Sequence, residues 1–173
     1  MTGTDRLDDA LAAHDAYERT DDGWDLTTTP LEVSLTGEER PDAGTDPAPV
    51  LLEVEVRLPG LDASVPDGSV ADVVEDDWAE RLERLLGDAF DVVTREPPSP
   101  PSVTRTDEAL FVHCSFWDTD VGAAIADAKT VVEYVEGTYA QSLIPGYEYA
   151  GPAAALLDRA RERGERSADT IGP

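Results

Sequence analysis

The stretch that decides the fold is Val50-Leu51-Leu52-Glu53-Val54-Glu55-Val56-Arg57-Leu58, in which apolar and polar side chains alternate. Successive side chains of a β-strand point to opposite faces of the sheet, so the even-numbered residues share one face. That face is entirely apolar, whereas the opposite face carries Glu53, Glu55 and Arg57. The pattern predicts an antiparallel strand with one face on the core and the other in water.

Further strands are predicted on both sides of this segment. The alternations at residues 24–28 and 31–35 change phase at Pro30, which favours two short strands or one bent edge strand. Residues 37–49 contain three prolines and two glycines without an apolar pattern, so we expect an exposed loop.

The second half of the chain predicts a hairpin. Residues 103–106 and 110–117 flank Asp107-Glu108, and the second of these runs is apolar on both faces, which predicts a central strand. Before it, residues 90–93 form a short apolar run, and residues 97–101 predict an extended polyproline connector.

Four segments have helical periodicity. Residues 5–19 repeat Leu7, Leu11, His14 and Tyr17 on one face, and residues 70–89 repeat Val74, Trp78, Leu82, Leu85 and Leu86. A longer helix, capped by Asp118 or Thr119, has a stripe of Val121, Ile125, Ala128, Val132, Val135 and Tyr139. A last helix begins at Gly151-Pro152 and is expected to end at Gly164.

This order of elements predicts an α+β fold, a two-layer sandwich of a mainly antiparallel sheet with helices packed on one face. We expect residues 1–150 to form a single α+β domain, with 37–49 as its exposed loop. Residues 151–164 would add an extra C-terminal helix, and residues 165–173 would be a frayed tail.

The charge indicates the solvent in which the protein works. The chain has 38 acidic and 13 basic residues, a formal net charge of −25, and Lys129 is its only lysine. Such self-repulsion destabilises a compact state, and salt of about 1 M screens it beyond roughly 3 Å. We therefore expect a salt-adapted protein of the cytoplasm, since the first residues do not resemble a signal peptide and no apolar run is long enough to span a membrane.

Few residues are suited to metal or nucleophilic chemistry. His14 and His113 are the only histidines and Cys114 is the only cysteine, which argues against structural zinc and disulfides, and we expect no cofactor. Neither a phosphate-binding loop nor a G-x-S-x-G elbow is present. His113 and Cys114 are adjacent on a strand, so their side chains cannot meet.

One segment nevertheless supports an enzymatic alternative. His113, Asp118 and Asp120 lie close in sequence at a strand-to-helix junction, where two carboxylates and an imidazole can hold a metal ion. Capping of the helix is the favoured explanation of the carboxylates, because acidic groups favour a helix N-terminus. The acidic run Glu75-Asp76-Asp77 has the same two interpretations.

Two other clusters are candidates for partner binding. Tyr139, Tyr147 and Tyr149 surround Pro145-Gly146 and either form a partner surface or pack the last helix on the body. Arg159, Arg161, Arg163 and Arg166 are the only basic cluster, but acidic residues alternate with them. A self-paired, solvated helix end is therefore favoured over a nucleic-acid site, which high salt would also weaken.

Residues 14–30, His14-Asp15-Ala16-Tyr17-Glu18-Arg19-Thr20-Asp21-Asp22-Gly23-Trp24-Asp25-Leu26-Thr27-Thr28-Thr29-Pro30, together with Phe90-Asp91-Val92-Val93, resemble a haloarchaeal family of unknown function. The resemblance covers most of the chain and implies no activity. The order of elements is also similar to the secretion-chaperone and YbjN-like α+β fold, which implies an interaction or dimerising role. The C-terminal helix and the loop at 37–49 depart from that fold.

These observations lead to one main hypothesis and two alternatives. The biochemical activity is unknown, and the main hypothesis is a non-catalytic adaptor or chaperone-like protein that binds another protein, with a homodimer as an option. The first alternative is a metal-assisted enzyme that uses the carboxylates near 113–120. The second is a regulator that contacts nucleic acid through the C-terminal arginines.

Overall fold

The computed structural model describes residues 3–40, 44–88 and 101–169. The helices in these ranges are α1 (Gly3–Ala12), α2 (Asp72–Leu86), α3 (Val121–Ser142) and α4 (Gly151–Asp169). The strands are β1 (Tyr17–Arg19), β2 (Trp24–Leu26), β3 (Glu32–Glu39), β4 (Val50–Pro59), β5 (Ser102–Arg105) and β6 (Ala109–Asp118).

The six strands form one antiparallel sheet in the order β1-β2-β3-β4-β6-β5. Strand β4 pairs with β6 over their full lengths, from Val50 opposite Asp118 to Pro59 opposite Ala109. The even-numbered side chains of β4, and those of β6 from Leu110 to Phe116, are buried under the helices, as the sequence predicts. The α+β fold with an antiparallel sheet is thus confirmed.

Helix α3 is the centre of the helical layer. It contacts β4 and β6 beneath it and α1, α2 and α4 beside it. All six residues of its predicted stripe, from Val121 to Tyr139, are buried. No helix of the described residues is both long enough and apolar enough to cross a membrane.

The N-terminal helix is shorter than predicted. It ends at Ala12, and Tyr17–Arg19 pairs as strand β1 with β2 across the turn at Asp21-Asp22-Gly23. Leu7 and Leu11 are buried as predicted, but His14 is exposed. The hairpin hydrogen bonds override the helical spacing of His14 and Tyr17.

The predicted loop at 37–49 begins too early. Strand β3 continues to Glu39, and Gly37 pairs with Leu52. A Cβ atom at Gly37 would overlap the Leu7 side chain, so the glycine gives α1 room to pack on the strand. Glycine usually disfavours a strand, but at position 37 the packing of α1 requires it.

The last helix is longer than predicted, since it continues through Gly164 to Asp169. The ion pair between Arg166 and Glu162, at 3.6 Å, spans that glycine and supports the extra turn. A glycine inside an exposed helix costs only about 1 kcal/mol relative to alanine, so the helix tolerates it. The proposed tail at 165–173 is therefore helical as far as it is described.

Other expectations need smaller corrections. Leu85 is 43% exposed, although the spacing places it on the buried face of α2. Of the three tryptophans, Trp24 and Trp78 are buried and Trp117 is half-buried. The expected strand at 90–93, and the connector at 97–101 except for its last residue, lie outside the described residues.

Candidate functional site

The sheet has one face without a helical layer among the described residues, and we call the part of this face on β3, β4, β6 and β5 the open face. Its side chains lie in cross-strand rows set by the register. The rows are Glu38-Leu51-Trp117, Thr36-Glu53-Ser115, Ser34-Glu55-His113-Ser102 and Glu32-Arg57-Phe111-Thr104. Aromatic side chains therefore lie at the two ends of β6, and polar groups lie between them.

The centre of the open face contains a histidine and a carboxylate in contact. The Nδ1 atom of His113 lies 3.3 Å from Oε2 of Glu55, and both side chains are half-exposed. Ser34 is opposite Glu55 on β3, and Ser102 is opposite His113 on β5. A shallow depression of about 380 Å³ covers this row and the neighbouring Ser115.

Charges on the open face are mostly negative. Glu53 is exposed and forms no ion pair with any described residue, whereas Glu32 is paired with Arg57 at 3.6 Å. The guanidinium of Arg40 lies 5.1 Å from the ring centre of Trp117, a cation–π contact at the end of β6. The face combines aromatic ends with a carboxylate-rich centre.

Cys114 is separated from His113 by the strand, as the sequence predicts. Its side chain is buried with Val112 and Phe116 beneath the helices. Burial raises the pKa of the Cys114 thiol to about 12, so the thiolate is scarce at neutral pH. This cysteine is part of the core.

The enzymatic alternative based on His113, Asp118 and Asp120 is not supported by their positions. On β6, Asp118 is on the same face of the sheet as Cys114, and His113 is on the opposite face. Asp120 caps α3 by accepting the Ala123 N–H at 3.1 Å, and Asp118 accepts the Asp120 N–H at 2.8 Å. The cap is thus Asp120 rather than Asp118 or Thr119, because β6 continues to Asp118.

The described residues also contain no group of three or more histidine, cysteine, aspartate or glutamate side chains that could hold a metal ion. The three carboxylates of the run Glu75-Asp76-Asp77 point in different directions from α2 and have different surroundings. Glu75 accepts the N–H groups of Leu61 and Asp62 at 3.0 and 2.8 Å, and Asp76 is paired with Arg105. Two of the three carboxylates therefore bind groups of the protein itself, and Asp77 is exposed.

The tyrosine cluster is divided between core and surface. Tyr139 is fully buried, so it cannot contribute to a partner surface. Its hydroxyl donates to the Pro59 carbonyl at 3.0 Å, and burial raises its pKa to about 12. Tyr147 and Tyr149 are half-buried, and the Tyr149 hydroxyl donates to the Ile144 carbonyl at 2.7 Å.

The C-terminal arginines fall on two sides of α4. Arg161 and Arg166 are paired with Asp158 and Glu162, at 3.1 and 3.6 Å. Arg159 donates to the Thr28 carbonyl at 3.1 Å, and Arg163 lines a groove between α3 and α4. The cluster therefore forms no continuous basic surface of the kind that phosphates require.

Sequence reasoning missed the partners of His113. Glu55 is 58 positions away along the chain but directly opposite on the neighbouring strand. The alternating pattern of β4 and β6 predicts only that odd-numbered residues, such as Glu55 and His113, lie on the face away from the core. Only the strand order and register, which the sequence leaves open, bring them together.

Comparison with known proteins identifies the family. The profile of the family of unknown function DUF5813 matches residues 12–159, so the chain belongs to that family. No curated protein and no solved structure matches the chain. The family carries no assigned activity, and the geometry of the open face is the basis for a functional proposal.

Proposed function

We propose that this member of a family of unknown function is a non-catalytic protein-interaction protein of a salt-rich cytoplasm, and that it binds a cationic protein partner through the open face. The observation that carries the proposal is the composition of that face, which has aromatic side chains at both ends and unneutralised carboxylates between them. The partner would be a protein that this adaptor or chaperone-like chain binds, with a surface rich in arginine or lysine.

The charge of the open face selects the partner. Among the described residues, Glu53 lacks an ion pair and Glu55 is paired with His113, a weakly basic group. In salt of about 1 M, charges act over roughly 3 Å, so attraction operates through direct contacts rather than long-range steering. Arginine or lysine side chains placed against Glu53 and Glu55 would supply those contacts.

The aromatic ends provide apolar anchors for the same partner. Trp117 and Phe111 are half-exposed on odd-numbered positions of β6, six residues apart. That separation along a strand is about 20 Å, the length of a short peptide segment or one edge of a protein interface. Aromatic side chains of this kind dominate the energy of protein interfaces.

The composition supports a halophilic setting for this interaction. The chain has a net charge of −25 and a single lysine, Lys129. A haloarchaeal cytoplasm would screen that self-repulsion and keep the acidic surface hydrated. A binding site in such a solvent depends on apolar contact and close charge pairing.

Zero-length carbodiimide cross-linking tests the proposal, because it joins a carboxylate only to an amine in contact. The protein is returned to its native host at native salt, and cross-linked partners are mapped by mass spectrometry. We expect lysines of a partner joined to Glu53 or Glu55, and loss of the partner in the Glu53→Gln, Glu55→Gln variant. The matched control is Asp77→Asn, Glu80→Gln, two exposed positions on α2. Equal recovery by both variants would refute the proposal.

A second candidate function follows from the row Ser102-His113-Glu55. Glu55 contacts Nδ1 of His113, and Ser102 lies directly opposite His113 on β5. A serine, a histidine and a carboxylate are the residue types of an acyl-transfer site. In that case the Ser102 hydroxyl would attack a fluorophosphonate probe, passing its proton to His113 as fluoride leaves. Labelling of Ser102 that is abolished by Ser102→Ala and His113→Ala would favour this candidate, and no labelling would eliminate it.

A further inference from the structure

Helix α4 extends beyond the body of the protein. Among residues 158–169 every side chain is exposed except that of Arg159, which is half-buried. The buried residues of the helix, Ala153 and Leu156, lie in its first two turns. An exposed helix of this length has most of its surface free for contact with another molecule.

This part of α4 differs in charge from the rest of the surface. Residues 158–169 contain four arginines and four carboxylates, so they have no net charge within a chain of −25. Two copies of an acidic protein repel each other least when they approach through their least acidic surfaces. For a second copy, α4 is therefore the favoured side of approach.

The groove between α3 and α4 has charges of opposite sign on its two walls. It has a volume of about 520 Å³, with Glu133 and Glu136 on α3 and Arg159 and Arg163 on α4. Arg163 has no carboxylate at ion-pair distance within the described part of the chain. Glu133 is paired at 3.9 Å with Lys129 of its own helix, but neither glutamate is paired with an arginine across the groove within the described residues.

The floor of the groove is low and uncharged. Gly137, Ala140 and Ala160 line it together with Leu156. A Cβ atom added at Gly137 would meet no neighbouring atom within 4 Å, so the space above it is open. A helix of another molecule can therefore approach the α3 backbone closely at this point.

We propose that the α3–α4 groove is the interface of a two-fold homodimer, in which the arginine wall of one copy faces the glutamate wall of the other. In a two-fold interface the same patch occurs on both partners, so a patch must complement itself. A groove with one acidic and one basic wall meets that requirement, because the rotation places Arg163 against Glu133 and Glu136 of the second copy. This proposal is independent of partner binding at the open face.

Sedimentation equilibrium of the full chain measures the dimerisation constant. We expect a concentration-dependent dimer at about 2 M KCl, where long-range repulsion is screened. Arg163→Glu, and separately Glu133→Arg with Glu136→Arg, should each raise the dissociation constant by about tenfold or more, because each creates two like-charge contacts. An equimolar mixture of the two variants should restore a heterodimer of near wild-type affinity, since every pair is again opposite in charge.

Two controls separate this result from misfolding or a general charge effect. Arg161→Glu makes the same change on the same helix, but Arg161 is paired with Asp158 and does not line the groove, so dimerisation should be unchanged. Circular dichroism of each variant reports its folding, and the heterodimer itself shows that both variants are folded. A wild-type chain that stays monomeric, or variants that fail to pair when mixed, would overturn the proposal.

Discussion

The hydroxyl of Tyr139 donates a hydrogen bond to the carbonyl oxygen of Pro59, with a distance of 3.0 Å between the two oxygen atoms. This bond joins the C-terminal half of α3 to the last residue of β4. The same hydroxyl lies 3.3 Å from Oγ of Ser64, which donates to the Gly60 carbonyl at 2.8 Å. A buried polar network therefore fixes the turn after β4 against the central helix.

Replacing Tyr139 with phenylalanine should destabilise the fold. The substitution keeps the ring but leaves the Pro59 carbonyl without this donor, which costs about 1–3 kcal/mol in a buried site. Urea denaturation at constant high salt measures the free energy of unfolding. Tyr147→Phe is the matched control, because Tyr147 is half-buried and should change stability by less than about 0.5 kcal/mol. Equal losses from both variants would contradict the network.

Stability should increase with salt over a wide range. The net charge of −25 opposes compaction, and this repulsion weakens as the Debye length falls to about 3 Å near 1 M salt. Thermal melts followed by circular dichroism and tryptophan fluorescence, in KCl from low to molar concentration, measure the effect. A melting temperature that does not change with salt would show that self-repulsion is unimportant.

Substitutions at buried and at exposed positions should change the free energy of unfolding by very different amounts. Val132 is 2% exposed on α3, and an aspartate there would bury an unpaired carboxylate at a cost of several kcal/mol. Glu53 is exposed on β4, so Glu53→Gln should stay within about 0.5 kcal/mol. Denaturant unfolding compares them, and similar effects would mean that the assigned faces are wrong.

Such face assignments were the part of the structure that the sequence predicted well. Alternation in β4 and the four-three spacing of α3 depend on burial along a single element, and both are confirmed. The helix predicted through Tyr17 failed because pairing with β2, a tertiary interaction, determines that segment. The contact of Glu55 with His113 was missed for a similar reason, since it depends on which strands are neighbours.

Cys114 should react slowly in the native protein and quickly once unfolded. Burial raises the pKa of its thiol to about 12, so little nucleophilic thiolate exists at neutral pH. A maleimide time course at high salt, with and without urea, measures both rates by mass spectrometry. Rapid labelling of the folded protein would show that the thiol is accessible.

The same shift predicts a loss of stability in alkali. Because the pKa of Cys114 is raised on folding, its neutral form is favoured in the folded state, while the unfolded thiol ionises from about pH 9. This contribution to stability is complete below about pH 9 and is lost as the pH rises towards about 12. Cys114→Ala should therefore show a weaker decline in unfolding free energy over that window than wild type.

Glu75 should be the most important carboxylate of the run Glu75-Asp76-Asp77. Its two oxygens accept the N–H groups of Leu61 and Asp62, at the start of the 3-10 turn Asp62–Ser64. Hydrogen bonds to a charged group contribute about 1.5–3 kcal/mol, and Glu75→Gln replaces one acceptor oxygen with a donor that faces an N–H. We expect a loss of that order in urea denaturation at constant salt, despite the lower net negative charge.

The neighbouring Asp77→Asn variant provides the control for Glu75→Gln. It removes the same unit of charge from the same helix turn, but Asp77 is exposed. In an overcharged protein this change should leave stability unchanged or raise it slightly, because it reduces self-repulsion. If the change in unfolding free energy has opposite signs in the two variants, a carboxylate on this helix turn stabilises the fold only where it accepts backbone N–H groups. A loss of stability in both would mean that acidic charge itself, rather than its placement, supports the fold.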